Sequence, residues 1–351
     1  MNKDNTYDAI VVGSGISGGW AAKELCEAGL KTLVLERGRD IPHPEGYPTT
    51  NMNPWEFKHH GMRTNEDWEN CPIQAPVYAY NESTKHFFVN DKEHEYITPE
   101  DKPYSWIRGY HVGGRSIMWG RQCYRWSDLD FEANAKDGHG IDWPIRYKDI
   151  EPWYDYVEQF VGISGQAEGI PHLPDGKFIK PMEMNCVEKH VKAQIQKNWA
   201  DRTMTIGRVA NLTERVHGRG PCQFRNKCYT GCPYGGYFNS NSATLPAAAL
   251  TGNMTLRPMS IVHSLIFDEE LNKVTGVRVI DTETKEMFEY KAKIIFLCAS
   301  TIGSTAILLN TKTRNNPGGL GSSSEALGNY LMDHTYRSGA RATFEGFDDQ
   351  I

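Results

Sequence analysis

The sequence lacks both a long apolar run and an excess of basic charge, and these absences narrow what it can do. No stretch of about 18 apolar residues occurs, so we expect no membrane-spanning helix. The 38 Lys and Arg residues are fewer than the 44 Asp and Glu residues, giving a formal net charge of -6. Because nucleic-acid-binding chains usually carry a basic patch, we expect no nucleic-acid partner.

The N-terminus also lacks the pattern of a cleavable signal peptide. The residues Met1–Thr6 lead directly into the first apolar segment, which leaves no room for a charged region, an apolar region and a cleavage site. We therefore expect a cytoplasmic location, with periplasmic export alongside a partner subunit as the alternative. Repeats and low-complexity tracts are absent as well, and 351 residues are enough for two domains.

The chain begins with a strand, a glycine-rich turn and a helix. Within Tyr7–Gly18, an apolar strand leads into Gly13, Gly15 and Gly18. In this arrangement the first glycine permits a tight turn, the second lets a pyrophosphate approach the backbone, and the third lets the helix pack on the strand. The helix N-terminus presents N–H groups to the anion. The segment therefore predicts a dinucleotide site.

A second apolar strand, Thr32–Leu35, is followed by an acid at the expected distance. Glu36 stands where a carboxylate accepts hydrogen bonds from ribose hydroxyls. The two strands, the helix and the acid together indicate a parallel α/β fold. From these residues alone, an NAD-dependent enzyme and a flavoprotein both remain open.

The remaining pattern predicts a parallel sheet interrupted by long insertions. Residues 41–103 contain Trp, Phe and Tyr that favour packing over a disordered linker. We expect the residues from Val262 to Tyr290 to form an antiparallel hairpin that serves as an accessory sheet. Apolar runs and spacings predict strands at 86–89, 254–257, 260–268, 274–281, 286–290 and 293–298, and helices at 142–162, 184–199 and 305–310.

The segment Val112–Gly120 adds a second glycine-rich loop that contains Gly113 and Gly114. With this loop, the sequence resembles the glucose–methanol–choline (GMC) flavin oxidoreductases over essentially its whole length. The nearest branch holds relatives of glucoside 3-dehydrogenase, gluconate dehydrogenase and pyranose oxidase. The segments that carry the resemblance are 7–37, 112–120, 142–145 with Trp153 and Tyr154, 299–303, and 327–334, which ends in Asp333 and His334.

The resemblance implies an α/β fold that is α+β overall. Its core would be a Rossmann-like FAD-binding domain of the GMC and p-hydroxybenzoate-hydroxylase type, with an interleaved and incomplete substrate domain. By this division, the FAD-binding domain takes residues 1–40, 104–130 and 205–310, excursion loops take 41–103, and substrate-domain portions take 131–204 and 311–351.

The resemblance also implies FAD rather than NAD, and a sugar or other alcohol as the hydride donor. Paired glycines allow the backbone to approach a flavin closely. Some relatives bond the flavin covalently to a histidine at the position of Met118, and methionine cannot form that link, so we expect non-covalent FAD. The resemblance assigns to FAD the residues Gly13, Gly15, Ile16, Ser17, Gly18, Glu36, Arg37, Gly113, Gly114, Ser116, Met118, Trp119, Val262 and Ala299, with Ser116, Met118 and Trp119 near the isoalloxazine ring.

A cysteine segment forms the second chemistry-bearing feature. Cys222, Cys228 and Cys232 precede Pro233, and Arg225 stands where the ferredoxin pattern would place another cysteine. Three thiolates suit a [3Fe-4S] cluster, and dehydrogenases of the resembled branch hold one in a similar segment.

Other interpretations of the cysteine segment stay open. A structural zinc completed by His217 and unligated thiols are the alternatives, whereas the odd local count and the missing export signal disfavour a disulfide. If a cluster is present, we expect Arg225 and Lys227 to offset its negative charge and raise its potential.

The resemblance places the catalytic base outside this sequence. Alcohol oxidation needs a group that takes the hydroxyl proton while hydride leaves. Relatives supply a histidine paired with a second histidine or an asparagine in a C-terminal segment, so we expect that pair beyond Ile351 and no catalytic residue within 1–351. His334 and His111 are disfavoured as substitutes, because the first belongs to a structural signature and the second precedes a flavin loop.

The predicted activity is oxidation of a sugar or glycoside, with the C3 hydroxyl of a pyranoside as the favoured position. Electrons would pass through the cluster to a cytochrome or quinone, and a small subunit is an expected partner. An oxidase that uses O₂ and a non-catalytic FAD-binding module are the alternatives.

Overall fold

The computed structural model describes residues 5–332, 341–343 and 345–346, which fall into two compact units. Unit 1 holds the described residues within 1–119, 225–235 and 239–331, and unit 2 holds those within 120–224, 236–238 and 332–351. The predicted excursion at 41–103 therefore lies in unit 1, whereas residues 120–130 and 205–224 lie in unit 2. The unit boundaries follow from how the chain packs and do not test the division by function, which stays a prediction.

Unit 1 is built on one six-stranded sheet. Its strands are β1 (Thr6–Val12), β2 (Thr32–Leu35), β3 (Met254–Arg257), β4 (Ser260–Asp268), β5 (Lys273–Asp281) and β6 (Met287–Leu297), in the order β3-β2-β1-β6-β5-β4. Strands β3, β2, β1 and β6 pair in parallel, and β6, β5 and β4 pair antiparallel. The predicted α/β class is confirmed.

The helices are short and shared between the two units. They are α1 (Ile16–Glu27), α2 (Asn65–Asn70), α3 (Asp128–Phe131), α4 (Ala133–Asp137), α5 (Tyr147–Val161), α6 (Cys186–Asn198), α7 (Thr244–Leu250) and α8 (Ser300–Asn310). Helices α3 to α6 belong to unit 2. The predicted helices at 142–162, 184–199 and 305–310 are confirmed as α5, α6 and α8, with shifted ends. No described helix is long and apolar enough to cross a membrane.

Two predicted strands, 286–290 and 293–298, are wrong as separate elements, because the structure joins them into β6. The register explains why: Lys291 pairs with Gly276 of β5 on one side and with Thr6 of β1 on the other. The charged residues at 291 and 293 interrupt the apolar pattern without interrupting the strand. The predicted accessory hairpin is therefore continuous with the parallel sheet.

The strand predicted at 86–89 is also wrong. The chain forms a 3₁₀ turn at Lys85–Phe87, and Phe87 and Phe88 are buried in a cluster with Ile41, Tyr47, Ile117 and Met118. The apolar run reflects burial of aromatic side chains, not strand pairing. Residues 41–103 thus contribute a packed layer to unit 1.

The two central strands next to the glycine turn, β1 at its C-terminal end and β2 throughout, are buried on both faces. Residues Ala9–Val12 are at most 3% exposed, as expected for a parallel strand covered on each side. Ile10 and Val12 pack into one core cluster, and Val11 packs into another with Ala22 of α1 and Ala248 of α7. This double packing fixes the ends of β1 and β2, where the glycine turn begins.

Candidate functional site

Gly13 makes the turn that leaves β1. Its φ is +98°, and a Cβ built on it would lie 2.4 Å from the carbonyl oxygen of Cys298 and 3.2 Å from Cα of Ala299. Its amide donates to the carbonyl of Leu35 at 2.8 Å. No residue with a side chain fits here without moving backbone. The turn therefore lies against the ends of β2 and β6.

Helix α1 starts at this turn with its N-terminus uncovered. Gly15 is the N-cap, and in the described structure no side chain caps the helix and no acid occupies its first turn. Ile16 and Ser17, the first helical residues, are exposed. Gly18 is buried, and a Cβ there would lie 1.9 Å from the Gly13 carbonyl oxygen, so it allows the helix to pack closely on the turn.

The two glycine loops lie side by side, with open space beside Gly15. A Cβ built on Gly15 meets no described atom within 4 Å, and one built on Gly114 meets only Cα of Gly15, at 3.6 Å. Both backbones are thus free of side chains at this point, beside N–H groups that lack partners at a helix N-terminus. A pyrophosphate fits this arrangement, because its charge complements the helix end and its bulk needs bare backbone.

Glu36 is held rigidly behind the turn. Its Oε2 accepts hydrogen bonds from the Ser14 hydroxyl at 2.6 Å and the Ser14 amide at 3.2 Å, and its Oε1 accepts from the Gly38 amide at 3.0 Å. Burial raises the pKa of Glu36, and the Ser14 and Gly38 hydrogen bonds oppose that rise. A carboxylate has about four acceptor positions, so the carboxylate keeps capacity for a ribose hydroxyl. That ribose contact stays a prediction.

The second glycine pair adopts left-handed backbone. Gly113 has φ +83° and Gly114 has φ +48°, a region in which side chains are disfavoured. A 3₁₀ turn, Gly114–Met118, follows, and Ser116 within it is 1% exposed. The loop is therefore preset by its backbone and placed directly opposite Gly15.

The other residues assigned to FAD lie in different surroundings. The Arg37 guanidinium stacks 3.7 Å above the Tyr110 ring. Met118 is buried among apolar side chains, and the Val262 side chain belongs to the sheet core, so Val262 could meet a cofactor only through its backbone. Ala299 is the N-cap of α8 and Trp119 follows the 3₁₀ turn half-buried. Proximity of Met118 and Trp119 to the isoalloxazine stays a prediction.

Three residues of this region escaped the sequence analysis: Ser14, Ser240 and Asn241. Ser14 looked like a spacer between glycines, yet it bonds Glu36. The other two belong to a run of small polar residues before α7 that is buried throughout, from Asn239 to Thr244. Burial of so many polar residues was not visible in the sequence, because nothing in their spacing predicts a partner.

The cysteine segment crosses the unit boundary. Cys222 lies in unit 2, and Cys228 and Cys232 lie in unit 1; all three are half-buried. Within the described residues, no group of three or more His, Cys, Asp or Glu side chains could hold a metal ion. The described structure therefore does not show the predicted cluster or a zinc site completed by His217, and the metal assignment stays a prediction.

Arg225 and Lys227 have a different environment from the one expected. The Arg225 guanidinium donates to the carbonyl of Thr50 and, at 3.1 Å, to Oδ1 of Asn51. The Lys227 ammonium donates to the carbonyl of Met52 at 2.7 Å. Both cations thus fasten the cysteine turn to the excursion. Their influence on a cluster stays a prediction, and both side chains already donate hydrogen bonds to the excursion.

His111, one of the two histidines considered as substitutes for the base, is enclosed in the described structure. His111 is 2% exposed, its Nδ1 lies 3.0 Å from the Val112 carbonyl oxygen, and burial lowers its pKa to about 4. Its ring is therefore enclosed and neutral. His334 and Asp333 lie outside the described residues.

Comparison with known proteins gives one family and several distant relatives. The family model described as GMC oxidoreductase matches residues 7–336. A 2-methyl-1,2-propanediol dehydrogenase of Mycolicibacterium austroafricanum is 27% identical over 339 residues, covering 94% of this chain and 55% of the relative. The fructose dehydrogenase large subunit of Gluconobacter japonicus is 24% identical, covering 95% and 59%. The gluconate 2-dehydrogenase flavoprotein of Pantoea cypripedii is 22% identical, covering 88% and 53%. The chain spans somewhat more than half the length of these curated relatives.

Proposed function

Because the chain belongs to the GMC oxidoreductase family, we propose that it binds FAD and takes part in the oxidation of a sugar or related alcohol. The observation that carries the proposal is the open space beside Gly15, next to the loop at Gly114. It is bordered by bare backbone on both sides and by the uncapped start of α1. When bound, FAD would supply the acceptor for a hydride from the alcohol carbon.

The chain's own residues would bind and orient the cofactor. The N–H groups at the start of α1 would hold the pyrophosphate, and Glu36 would accept a hydrogen bond from the ribose. The rigid loop at Gly113 and Gly114 would carry the flavin end. The base that takes the substrate proton is proposed to be a histidine of the family's C-terminal segment, paired there with a second histidine or an asparagine. No residue of the described structure is assigned that role.

The FAD is proposed to be non-covalent. Met118 occupies the position that carries the linking histidine in some relatives, and its thioether has no ring nitrogen to form the bond. The surroundings support a packing role, because Met118 is 4% exposed among apolar neighbours. Acid precipitation of the reconstituted protein should leave yellow flavin in the supernatant. Flavin that remains in the protein pellet would contradict the proposal.

The substrate and partners are proposed from the resemblance and the relatives' names. A fructose dehydrogenase and a gluconate 2-dehydrogenase support a sugar or sugar acid, and the C3 hydroxyl of a pyranoside is our specific proposal. The words "large subunit" in one relative's name support a smaller partner subunit for this protein. A periplasmic location reached with such a partner is the alternative to the cytoplasmic one.

The cysteine segment is proposed to hold a [3Fe-4S] cluster in the complete protein. Its spacing and Pro233 support this, and so does its strained backbone: Phe224 and Asn226 both have positive φ, which is uncommon and often associated with functional loops. Because the described residues do not form a metal site, we assign the cluster no electron-transfer step. Anaerobic purification, iron analysis and EPR would test it, and an iron-free, EPR-silent protein would contradict it.

The experiment that tests the main proposal is FAD reconstitution. The protein is expressed, stripped of ligand, titrated with FAD and with NAD, and followed by absorption and flavin fluorescence. The proposal predicts saturable binding of FAD alone, with quenching or a spectral shift of the flavin. Binding of NAD without FAD would instead favour the NAD-dependent enzyme. Tight FAD binding without sugar oxidation by the complete protein would favour the non-catalytic module.

A further inference from the structure

We infer that Ser240 is a positioning residue that links the two glycine loops through a ring of hydrogen bonds and thereby preforms the FAD site. The inference rests on the proposed binding of FAD, and Ser240 itself lies outside the segments that carry the family resemblance. Ser240 lies in neither glycine loop and is completely buried. Its effect would be exerted through Gly15 and the loop at Gly113, not through contact with the substrate.

The first part of this hydrogen-bond ring joins the two loops directly. The amide of Gly113 donates to the Ser14 hydroxyl oxygen at 3.0 Å, across a separation of 99 residues. The same hydroxyl donates its hydrogen to Oε2 of Glu36 at 2.6 Å. Ser14 therefore connects the buried carboxylate to the second glycine loop.

The second part of the ring runs through Ser240. The hydroxyl of Ser116 donates to the Gly113 carbonyl at 2.5 Å and accepts from the Ser240 amide at 3.0 Å. The Ser240 hydroxyl donates to the Gly15 carbonyl at 2.9 Å, across 225 residues. Since Gly15 is bonded covalently to Ser14, the hydrogen bonds and the chain close a ring.

Each of the three serine hydroxyls in the ring has an acceptor for its single hydrogen. A serine hydroxyl has one hydrogen and two acceptor positions. Ser14 gives its hydrogen to Glu36, Ser116 gives its hydrogen to Gly113, and Ser240 gives its hydrogen to Gly15. No hydrogen is used twice. Buried networks whose members are all satisfied hold one arrangement rigidly.

The close packing around Ser240 leaves little freedom for the side chain to turn elsewhere. A Cβ built on Gly19 of α1 would lie 2.9 Å from the Ser240 hydroxyl oxygen and 3.1 Å from its Cβ. The absence of a side chain at residue 19 thus admits Ser240 to the start of α1. Removal of the hydroxyl would leave the Gly15 carbonyl with its helical partner, the Gly19 amide at 2.8 Å, but without its connection to the second loop.

Loops that are already held in position favour binding, because they need no further ordering when the cofactor enters. Opening the ring should therefore weaken FAD binding while leaving the sheet and helices folded. Loss of one buried hydrogen bond predicts about a five- to tenfold increase in the FAD dissociation constant. The visible circular dichroism of bound flavin should decrease as well, because the two loops no longer hold it in one orientation.

The test compares Ser240→Ala with Ser242→Ala in the same buried segment. In the described structure, the Ser242 hydroxyl donates a hydrogen bond to the carbonyl of Asn239 at 3.4 Å and takes no part in the ring. This control therefore removes a buried hydroxyl without opening the ring. FAD dissociation constants, flavin circular dichroism and the unfolding free energy of the FAD-free protein are measured for each. The inference predicts weaker FAD binding for Ser240→Ala and a change of less than about twofold for Ser242→Ala.

A second variant, Ser116→Ala, opens the same ring at another point. It should weaken binding to a similar degree, and the double variant with Ser240→Ala should lose less than the two single losses combined, since one opening already breaks the ring. Unchanged FAD binding in folded Ser240→Ala or Ser116→Ala would overturn the inference, as would equal losses in Ser240→Ala and Ser242→Ala. If wild-type protein bound no FAD, the proposed function would fail instead, with the hydrogen-bond ring left in place.

Discussion

The side-chain oxygen of Asn241 occupies the place where a side chain on Gly113 would begin. A Cβ built on Gly113 lies 1.6 Å from this oxygen, while the Asn241 amide group donates to the carbonyls of Ile41 at 2.7 Å and Val112 at 3.2 Å. The amide therefore fixes the approach to the loop, and its oxygen excludes any larger residue at 113. Glycine is required here by contact as well as by backbone angle.

The first prediction separates these two requirements. Gly113→Ala should lower the free energy of unfolding more than Gly29→Ala. Both positions have positive φ, +83° and +82°, but a Cβ at Gly29 meets no described atom within 4 Å. We expect Gly29→Ala to cost about 1–2 kcal/mol from backbone strain and Gly113→Ala at least about 2 kcal/mol more from overpacking. Denaturant unfolding of the FAD-free variants measures the difference, and equal costs would argue against the contact.

A buried ion pair in unit 2 gives the second prediction. Arg125, with its side chain 2% exposed, donates to Glu158 through Nε at 2.9 Å and Nη2 at 2.6 Å. Because removal of one partner leaves a buried charge uncompensated, Arg125→Met should cost about 3–5 kcal/mol. Urea unfolding tests this. As the control, Arg278→Met removes a surface partner of Glu289 and should cost less than about 1 kcal/mol; similar losses in both would contradict the prediction.

The third prediction concerns pH. Burial lowers the pKa of His111 to about 4, below the unfolded value of about 6.5. The folded ring is therefore neutral, and the stability that follows is present above about pH 6.5 and is lost as the pH falls towards 4. At pH 5 the expected loss is about 2 kcal/mol relative to pH 7.5.

Unfolding free energies of wild-type protein and His111→Asn at pH 7.5 and 5 measure this contribution. The substitution should reduce the loss between the two pH values, whatever its effect on overall stability. His139→Asn, at an exposed position, is the control and should leave the loss unchanged. An undiminished loss in His111→Asn would show that other groups cause it.

Much of the site followed from the sequence because its parts are local. The turn at Gly13, the helix after Gly15 and the acid at Glu36 depend on residues a few positions apart, whose backbone demands are visible in order. The same holds for Gly113 and Gly114, where φ is positive. Local patterns of this kind predicted the α/β class and four helices, α1, α5, α6 and α8, correctly.

The parts that did not follow are those set by distant pairing. Lys291 looked like a break between two strands, but hydrogen bonding to strands on both sides carries β6 through it. Phe87 and Phe88 looked like a strand because burial in an aromatic cluster has the same composition. Ser240 gave no signal, since its partner Gly15 lies 225 residues away.

FAD binding by Gly15→Ala tests the central claim most directly. A methyl group there meets no described atom within 4 Å, so the FAD-free protein should still fold, with a loss of at most about 1 kcal/mol because alanine is a poorer N-cap than glycine. It would, however, project into the space assigned to the cofactor, and we expect FAD binding about 10- to 100-fold weaker. Gly207→Ala, which lies outside both glycine loops and where a Cβ meets no described atom nearer than 3.8 Å, should bind FAD like the wild type. Wild-type affinity in Gly15→Ala would contradict the account, because the space beside Gly15 would then not be the cofactor site.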